Sequence, residues 1–407
     1  MGGGLIELAA KGGQDMYLIC NPEITFFKKV YKRHTNFALE YEKYYFDSDM
    51  DFGITSKFTI PRKGDLIKNM FLQIELPELI STDNKRCSYV NYIGYSILEY
   101  IEIYIGTTLI ERLTGESLYI LNELTVKADK KRGYREMVGG KDFVDFNIFN
   151  GNNGGLYIIP LNFFFSKDIG SALPYVALQY HEIEIKIKLK DFDKLWITND
   201  GLEPLGEFKL KDCRLCVEYV YLDNDERKLF AKSSHEYLIK QTQYSLNNII
   251  KENTTKQKIQ LDFYHPIVEL IFVVQTKSKF LKVARGGNDY FNYSKTDNFP
   301  LKDTIKTAKI VLNGVDRTVE MTNKELRLYY PIERHTSVPD NFIYLYSFSL
   351  NPESFQPSGS CNFSRFDNKE LDIEFEDNIP NSELKIFAIN YNILRISKGL
   401  GGLAYVN

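Results

Sequence analysis

His181-Glu-Ile-Glu-Ile-Lys-Ile-Lys-Leu-Lys190 decides the fold class. In an extended chain Ile183, Ile185, Ile187 and Leu189 share one side and only charged residues occupy the other. A helix would scatter the four around its circumference. The segment is a strand with one dry face. The same period of two recurs at Met70/Leu72/Ile74/Leu76, which stops at Pro77, and at Ile101/Ile103/Ile105 opposite Glu102 and Tyr104. It returns at Leu371/Ile373/Phe375 opposite Asp372 and Glu374, and at Phe387/Ile389/Tyr391/Ile393. Clusters of turn formers separate these runs, among them 150–155, 285–289 and 356–359. Many short alternating strands with such punctuation predict an antiparallel sandwich or barrel.

Composition agrees. Tyr and Phe number 28 each, which with one Trp makes 14% of the 407 residues aromatic, a bias that suits pleated, half-buried surfaces. A hydrophobic share of 43% and a charged share of 26% exclude a disordered chain or a coiled coil. The length fits two domains better than one. A formal net charge of −3 argues against a protein whose main task is gripping nucleic-acid phosphates. The first ten residues lack the charged start and long apolar core of a signal peptide. Ile6 occupies the place where a myristoylation motif has Ser or Thr. No apolar run reaches the roughly eighteen residues that span a membrane. The expectation is a soluble protein in a reducing compartment.

The two halves share a layout. Ile103 to Arg112 reads as strand, Gly106 turn and strand, then a helix start at Thr114 leading into Gly115–Val126. Ile310 to Arg317 repeats the plan around Gly314, followed by the capping-box spacing Thr322-Asn-Lys-Glu325. Asp223-Asn-Asp-Glu226 has the same spacing, and the polar helical stretch Asp223–Glu236 is the natural boundary. Later, 160–190 with 215–222 parallels 343–376 with 384–396, the mark of a duplicated β domain.

Chemistry is thin. The five cysteines (Cys20, Cys87, Cys213, Cys216, Cys361) form no disulfide framework. Cys213 and Cys216 make a CxxC within a strand, where residues three apart face opposite sides, and no second CxxC completes a zinc site. His34, His181, His235, His265 and His335 show no metal-ligand spacing. Gly139-Gly-Lys-Asp142 lacks the upstream Gly and the Ser/Thr of a phosphate loop, and nothing orients Ser233-Ser-His235 as a catalytic pair. Lys28-Lys-Val-Tyr-Lys-Arg-His34, with Phe26, Phe27 and Phe37 nearby, suits nucleic acid or an anionic surface, but an exposed strand is the favoured reading. The sequons at Asn253, Asn292 and Asn362 read as chance in the absence of a secretory signal. No catalytic, cofactor-binding or metal residue is assigned, and no enzyme is expected.

Longer blocks carry a resemblance. Gln14-Asp-Met-Tyr-Leu18, Asn21-Pro-Glu-Ile-Thr-Phe-Phe-Lys28 and Val30-Tyr-Lys-Arg-His-Thr-Asn-Phe-Ala38 open the series. Tyr221-Leu-Asp-Asn-Asp-Glu-Arg227 follows with Ser234-His-Glu-Tyr-Leu-Ile239, then Gln356-Pro-Ser-Gly-Ser-Cys-Asn-Phe-Ser-Arg365. Asn390-Tyr-Asn-Ile-Leu-Arg395 and Gly399-Leu-Gly-Gly-Leu-Ala-Tyr405 close it. In this order they resemble the major capsid proteins of nucleocytoplasmic large DNA viruses, of the chlorella-virus and mimivirus type, over essentially the whole chain.

The resemblance implies an all-β double jelly roll: two tandem eight-stranded antiparallel jelly rolls with a few short helices. It implies an N-terminal arm at 1–24, jelly rolls at 25–222 and 237–407, and a short helical linker at 223–236. It further implies a homotrimer of pseudo-hexagonal outline that tiles an icosahedral virion shell, assembled in host cytoplasm. Its expected partners are itself, neighbouring capsomers, minor capsid and penton proteins and, through the arm, the inner membrane side, with no specific nucleic acid. The chain is compact for this family, whose members often carry long outward loops. The alternatives are a minor double jelly-roll capsid paralogue and a carbohydrate-binding β sandwich.

Overall fold

A computed structural model describes residues 2–80, 87–141, 154–198, 203–206, 208–280, 288–296 and 301–406. Met1–Asn36 and Phe37–Asn407 form two separate compact units. The first unit holds two short helices, α1 (Gly3–Ala9) and α2 (Met16–Ile19), and buries none of their side chains. Its basic stretch 28–34 is exposed and contains no strand, which corrects the exposed-strand reading. Extended backbone without a ladder of bonds to a second strand is not a strand.

In the second unit, the first barrel comprises β1 (Phe37–Tyr45), β2 (Thr55–Thr59), β3 (Leu66–Leu76), β4 (Cys87–Tyr89) and β5 (Leu98–Ile105). It continues with β6 (Thr108–Leu113), β7 (Gly155–Pro160), β8 (Ile183–Leu189), β9 (Trp196–Thr198) and β10 (Asp212–Leu222). Two four-stranded sheets, β1-β10-β3-β7 and β2-β8-β5-β6, face each other, with β4 and β9 paired beside them. The second barrel uses β11 (His235–Ile250), β12 (Lys256–Gln260), β13 (Pro266–Thr276), β14 (Ile305–Leu312), β15 (Val315–Asp316) and β16 (Met321–Thr322). It ends with β17 (Tyr344–Ser347), β18 (Cys361–Asn362), β19 (Lys369–Phe375), β20 (Ser382–Ser397) and β21 (Leu400–Leu403). Its sheets run β11-β20-β13-β17 and β12-β19-β14-β15, the same arrangement as in the first barrel. All the pairings are antiparallel, so each half is a jelly roll of two four-stranded layers with short additions. The duplicated layout read from the sequence is thus a duplicated topology.

The core follows the alternation. Ile183, Ile185, Ile187 and Leu189 on β8 are wholly buried beside Ile101, Ile103 and Ile105 on β5. Leu371, Ile373 and Phe375 do the same in the second barrel. Glu102 is a correction: expected on a wet face, it is fully buried. It pairs with Arg112 and, at 3.8 Å, with Lys186, and accepts from the Tyr104 hydroxyl at 3.0 Å. The reason is that the second barrel covers this side, for Arg112 also donates to Tyr244 of β11 at 3.2 Å. β20 differs for the same reason. From Ile386 to Asn392 it is buried on both faces, so Phe387, Ile389 and Tyr391 are one of two dry sets, the other being Leu384, Ile386, Ala388 and Leu394.

Local chemistry places the turns and helices. Asn313 (φ 48°) and Gly314 (φ 78°) both take the left-handed conformation that a two-residue hairpin needs between β14 and β15. Around α3 (Ile93–Ser96) and α4 (Gly115–Thr125), Thr114 and Ser117 form a reciprocal capping box, at 3.1 and 2.9 Å. Gly115 is required there, because a Cβ would collide with the carbonyl oxygens of Tyr95 and Leu98. Helices α5 (Lys131–Val138) and α6 (Phe164–Lys167) also belong to the first barrel. Asp223 caps α7 (Asn224–Lys232) by accepting from the Asn224 amide at 2.8 Å. Thr322 and Glu325 bond reciprocally, then a π-helical stretch, Glu325–Tyr329, leads into α8 (Tyr330–Arg334). The expected turns at 150–155 and 285–289 fall mostly outside the described residues.

Candidate assembly surfaces

The two barrels meet through unlike sides. The first barrel presents β6 and the helices α4 and α5; the second presents β11, β20 and the segments around residues 290 and 340. Lys385 of β20 donates to Glu116 of α4 at 2.9 and 3.0 Å and to Gln275 at 2.8 Å, and the Tyr293 hydroxyl donates to the same Glu116 at 3.0 Å. The Lys131 ammonium reaches the Val338 carbonyl at 3.1 Å, the Ser337 amide reaches the Leu124 carbonyl at 2.9 Å, and Arg135 pairs with Asp340. The rings of Tyr119 and Phe291 stack across the junction with centroids 4.2 Å apart. At another point of the junction the Tyr180 amide donates to Gly399, and the His181 ring bonds the backbone of Gly401. Of these pairs Lys385–Glu116 is largely withdrawn from solvent and Arg135–Asp340 lies at the rim, and together they tie the barrels into one body.

The matching face of the first barrel is uncovered. Along β1 the odd residues Phe37, Leu39, Tyr41 and Tyr45 project on one side together with Lys43, with Tyr45 63% exposed. On the even side Ala38 and Glu40 are also exposed, and the strand packs inward at Tyr44, which stacks on Phe58 of the opposite sheet at 5.1 Å. Tyr41 lies 5.9 Å from Phe71 of β3, so the apolar surface continues across the sheet. Beneath it Glu218 is buried, held by Asn69 at 2.6 Å and Lys68 at 3.6 Å. The second barrel has its own open side at β15, where Val315 and Val319 are exposed. Contiguous exposed apolar surface rimmed by polar groups marks an interaction site.

The residues singled out in the sequence are scattered. Cys213 and Cys216 are free thiols buried on opposite faces of β10, and burial pushes the Cys213 thiol up to about 12. His235 bonds the Phe230 carbonyl and Ser234 bonds Ser397, so the serine and histidine point to different partners. Gly139 closes α5 with φ 75°, Lys141 donates to Ser88, and Asp142 lies outside the described residues. Asn253 and Asn362 are exposed, and Asn292 is half-buried with its amide on Asp289 at 2.9 Å. Among the described residues, no group of three His, Cys, Asp or Glu side chains is placed to hold a metal.

Two buried acids, a half-buried one and the setting of His335 were not legible in the sequence. Glu111 is buried on β6 and accepts from the Phe164 amide at 3.0 Å; burial pushes its carboxyl up to about 7. His335 bonds Glu269 and Glu353 with its two ring nitrogens, at 2.8 and 3.0 Å. Glu269 and Glu353 are far from it along the chain, so no local spacing announces the group.

The description "Major capsid protein N-terminus" matches residues 25–223, and "Large eukaryotic DNA virus major capsid protein" matches 226–402. The chain is 36% identical to the major capsid protein of Pyramimonas orientalis virus and 32% identical to that of Paramecium bursaria Chlorella virus 1, in each case over 100% of both proteins. Among solved structures, it superposes on a quasi-atomic description of the PBCV-1 virus capsid with a TM-score of 0.81 at 29% identity, covering 94% of this chain and 100% of that one. The Faustovirus major capsid protein shares the fold, with a TM-score of 0.75 at 12% identity over 95% and 94% of the two chains. Two barrels of one topology, joined by unlike sides, are therefore the body of a chain that belongs to the major capsid protein family of large eukaryotic DNA viruses.

Proposed function

We propose that three copies close into a ring of six barrels, and that such rings tile the icosahedral shell of a virion. The observation that carries this reading is the unlike-sided junction within the chain. Its first-barrel side is β6, and its second-barrel side is the sheet containing β11 and β20. The counterparts left over are the β15 side of the second barrel and the β1-β10 face of the first, both open and both carrying exposed apolar residues. An interface between unlike faces repeats around a ring and stops when the rotation closes. Two similar barrels per chain make that ring roughly sixfold in outline, a shape that packs hexagonally against its neighbours. A net charge of −3 per chain opposes neither step strongly.

The barrels at 25–222 and 237–407 are the working halves, and residues 1–24 are an arm directed at the inner membrane side of the shell. The basic residues at 28–33, which follow the arm within the same compact unit and are interleaved with Phe27, Val30 and Tyr31, support that direction, since cations and aromatic rings suit an anionic lipid surface. Minor capsid and penton proteins are the remaining partners, and assembly takes place in the host cytoplasm. The role is structural, without catalysis. Light scattering on the purified full chain tests the central claim: a species of three times 47.3 kDa is expected, with hexagonal arrays by electron microscopy. A stable, folded monomer across micromolar concentrations overturns it.

A further inference from the structure

The segment 350–355 lies over the sheet formed by β11, β20 and β13. Glu353 and Phe355 share a 110 Å³ cavity with Phe164 and Lys167 of α6 in the first barrel. Cations hold this strap residue by residue. The Lys240 ammonium donates to the carbonyls of Pro352 and Ser354 at 2.6 and 2.7 Å, and Arg334 donates to the carbonyl of Leu350 at 3.1 Å. Between them His335, with its side chain 1% exposed, bonds Glu353 through Nδ1 and Glu269 of β13 through Nε2. A carboxylate accepts and does not donate, so a ring that satisfies both must carry both protons. The next residues complete the attachment. The Thr336 amide donates to Glu353 at 2.8 Å, Ser337 donates to Leu124 of α4, and Val338 and Asp340 are held by Lys131 and Arg135 of α5.

We propose that His335 is a proton-operated clasp of the barrel junction. With both nitrogens protonated it ties the strap at Glu353 to the sheet at Glu269, and losing one proton frees the strap together with the segment 336–340 that grips α4 and α5. The groups around it set the direction. Burial disfavours the charged ring, but Glu269 and Glu353 outweigh that and hold its pKa up to about 9. The clasp's contribution is complete below the ordinary value of 6.5 and is lost as the pH rises through about 9. Lys240 also faces both carboxylates and works the other way. Burial and the nearby Lys167 hold its pKa down to about 8, so shedding its proton relieves a buried charge. Tyr391, across from Lys240 on β20, faces Glu269 and stays neutral in this range because burial raises its pKa.

Hydrogen exchange read by mass spectrometry on the assembled full chain tests the clasp, with rates corrected for the intrinsic effect of pH. Protection of the Thr336 and Ser337 amides is expected to fall about tenfold or more between pH 7 and 9.5. His335→Gln is expected to show low protection already at pH 7 and no further fall. Lys240→Met is expected to keep the wild-type pH dependence. Constant wild-type protection up to pH 9.5 overturns the proposal whether or not the His335 variant folds. So does loss of the pH dependence in Lys240→Met, which would make the lysine the titrating group.

Discussion

Glu111 shows at the scale of one residue what burial does to a carboxyl group. It sits on β6 with one oxygen on the Phe164 amide, and desolvation lifts its pKa from 4.5 to about 7 against the attraction of Lys167. The folded chain keeps this proton to about 7, whereas the unfolded chain gives it up near 4.5. The native state therefore binds more protons in that window, and stability falls as the pH rises through it. Above pH 7 the barrel carries a buried negative charge. Replacing Glu111 with Gln keeps an oxygen to accept the Phe164 N–H and removes the charge. The variant is expected to be more stable at pH 8 by about 1–3 kcal/mol, with the gain shrinking towards zero near pH 5. Thermal melts at the two pH values check this, and equal stability at pH 8 would count against the burial argument.

At the scale of elements, β8 was fully legible and β20 only in part. Strand β8 has one face on the core and one on water, so its apolar and charged residues separate cleanly by parity. Strand β20 is sandwiched between its own core and covering elements, and a strand dry on both faces reads as an apolar run with no preferred side. The capping signals at Thr114, Asp223 and Thr322 were legible because a cap is made within a few residues. Glu102 and the His335 group were not, because their partners come from other strands and loops. The parity argument for β8 has a direct consequence. Ile185 is wholly buried, and its register partners on both sides, Phe58 of β2 and Ile103 of β5, are apolar. Ile185→Asp buries an unpaired carboxylate and opens a cavity, a loss of about 4 kcal/mol or more. Insoluble expression or a melting point lowered by ten degrees or more is the expected result. A variant melting within a degree of the parent would refute the inward placement of this residue.

At the scale of the whole molecule, the question is why the β1 face should be apolar at all. The core does not use Phe37, Leu39, Tyr41 and Tyr45, since their side chains are exposed and the inward packing of β1 is made by Tyr44. A row of exposed aromatic and aliphatic residues on an edge strand invites unwanted pairing unless a partner covers it. In the second barrel the same position is occupied by β11, which is covered by the first barrel of its own chain. In the proposed ring, a neighbouring chain's second barrel is the counterpart that completes the first, and long-lived interfaces of this kind bury roughly 2,000 Å² or more. Charges placed on this row should therefore break assembly while leaving the fold intact, the opposite of the Ile185 change. Leu39→Glu combined with Tyr41→Glu puts two carboxylates beside the buried Glu218 and alongside Glu40 and Glu42 of the same strand. Stranding such charges in an interface costs several kcal/mol, enough to shift a micromolar assembly to monomers. Circular dichroism of the double variant should match the parent, and light scattering should report a single chain of 47.3 kDa. A double variant that still scatters at three times that mass would place the subunit contact elsewhere on the barrel.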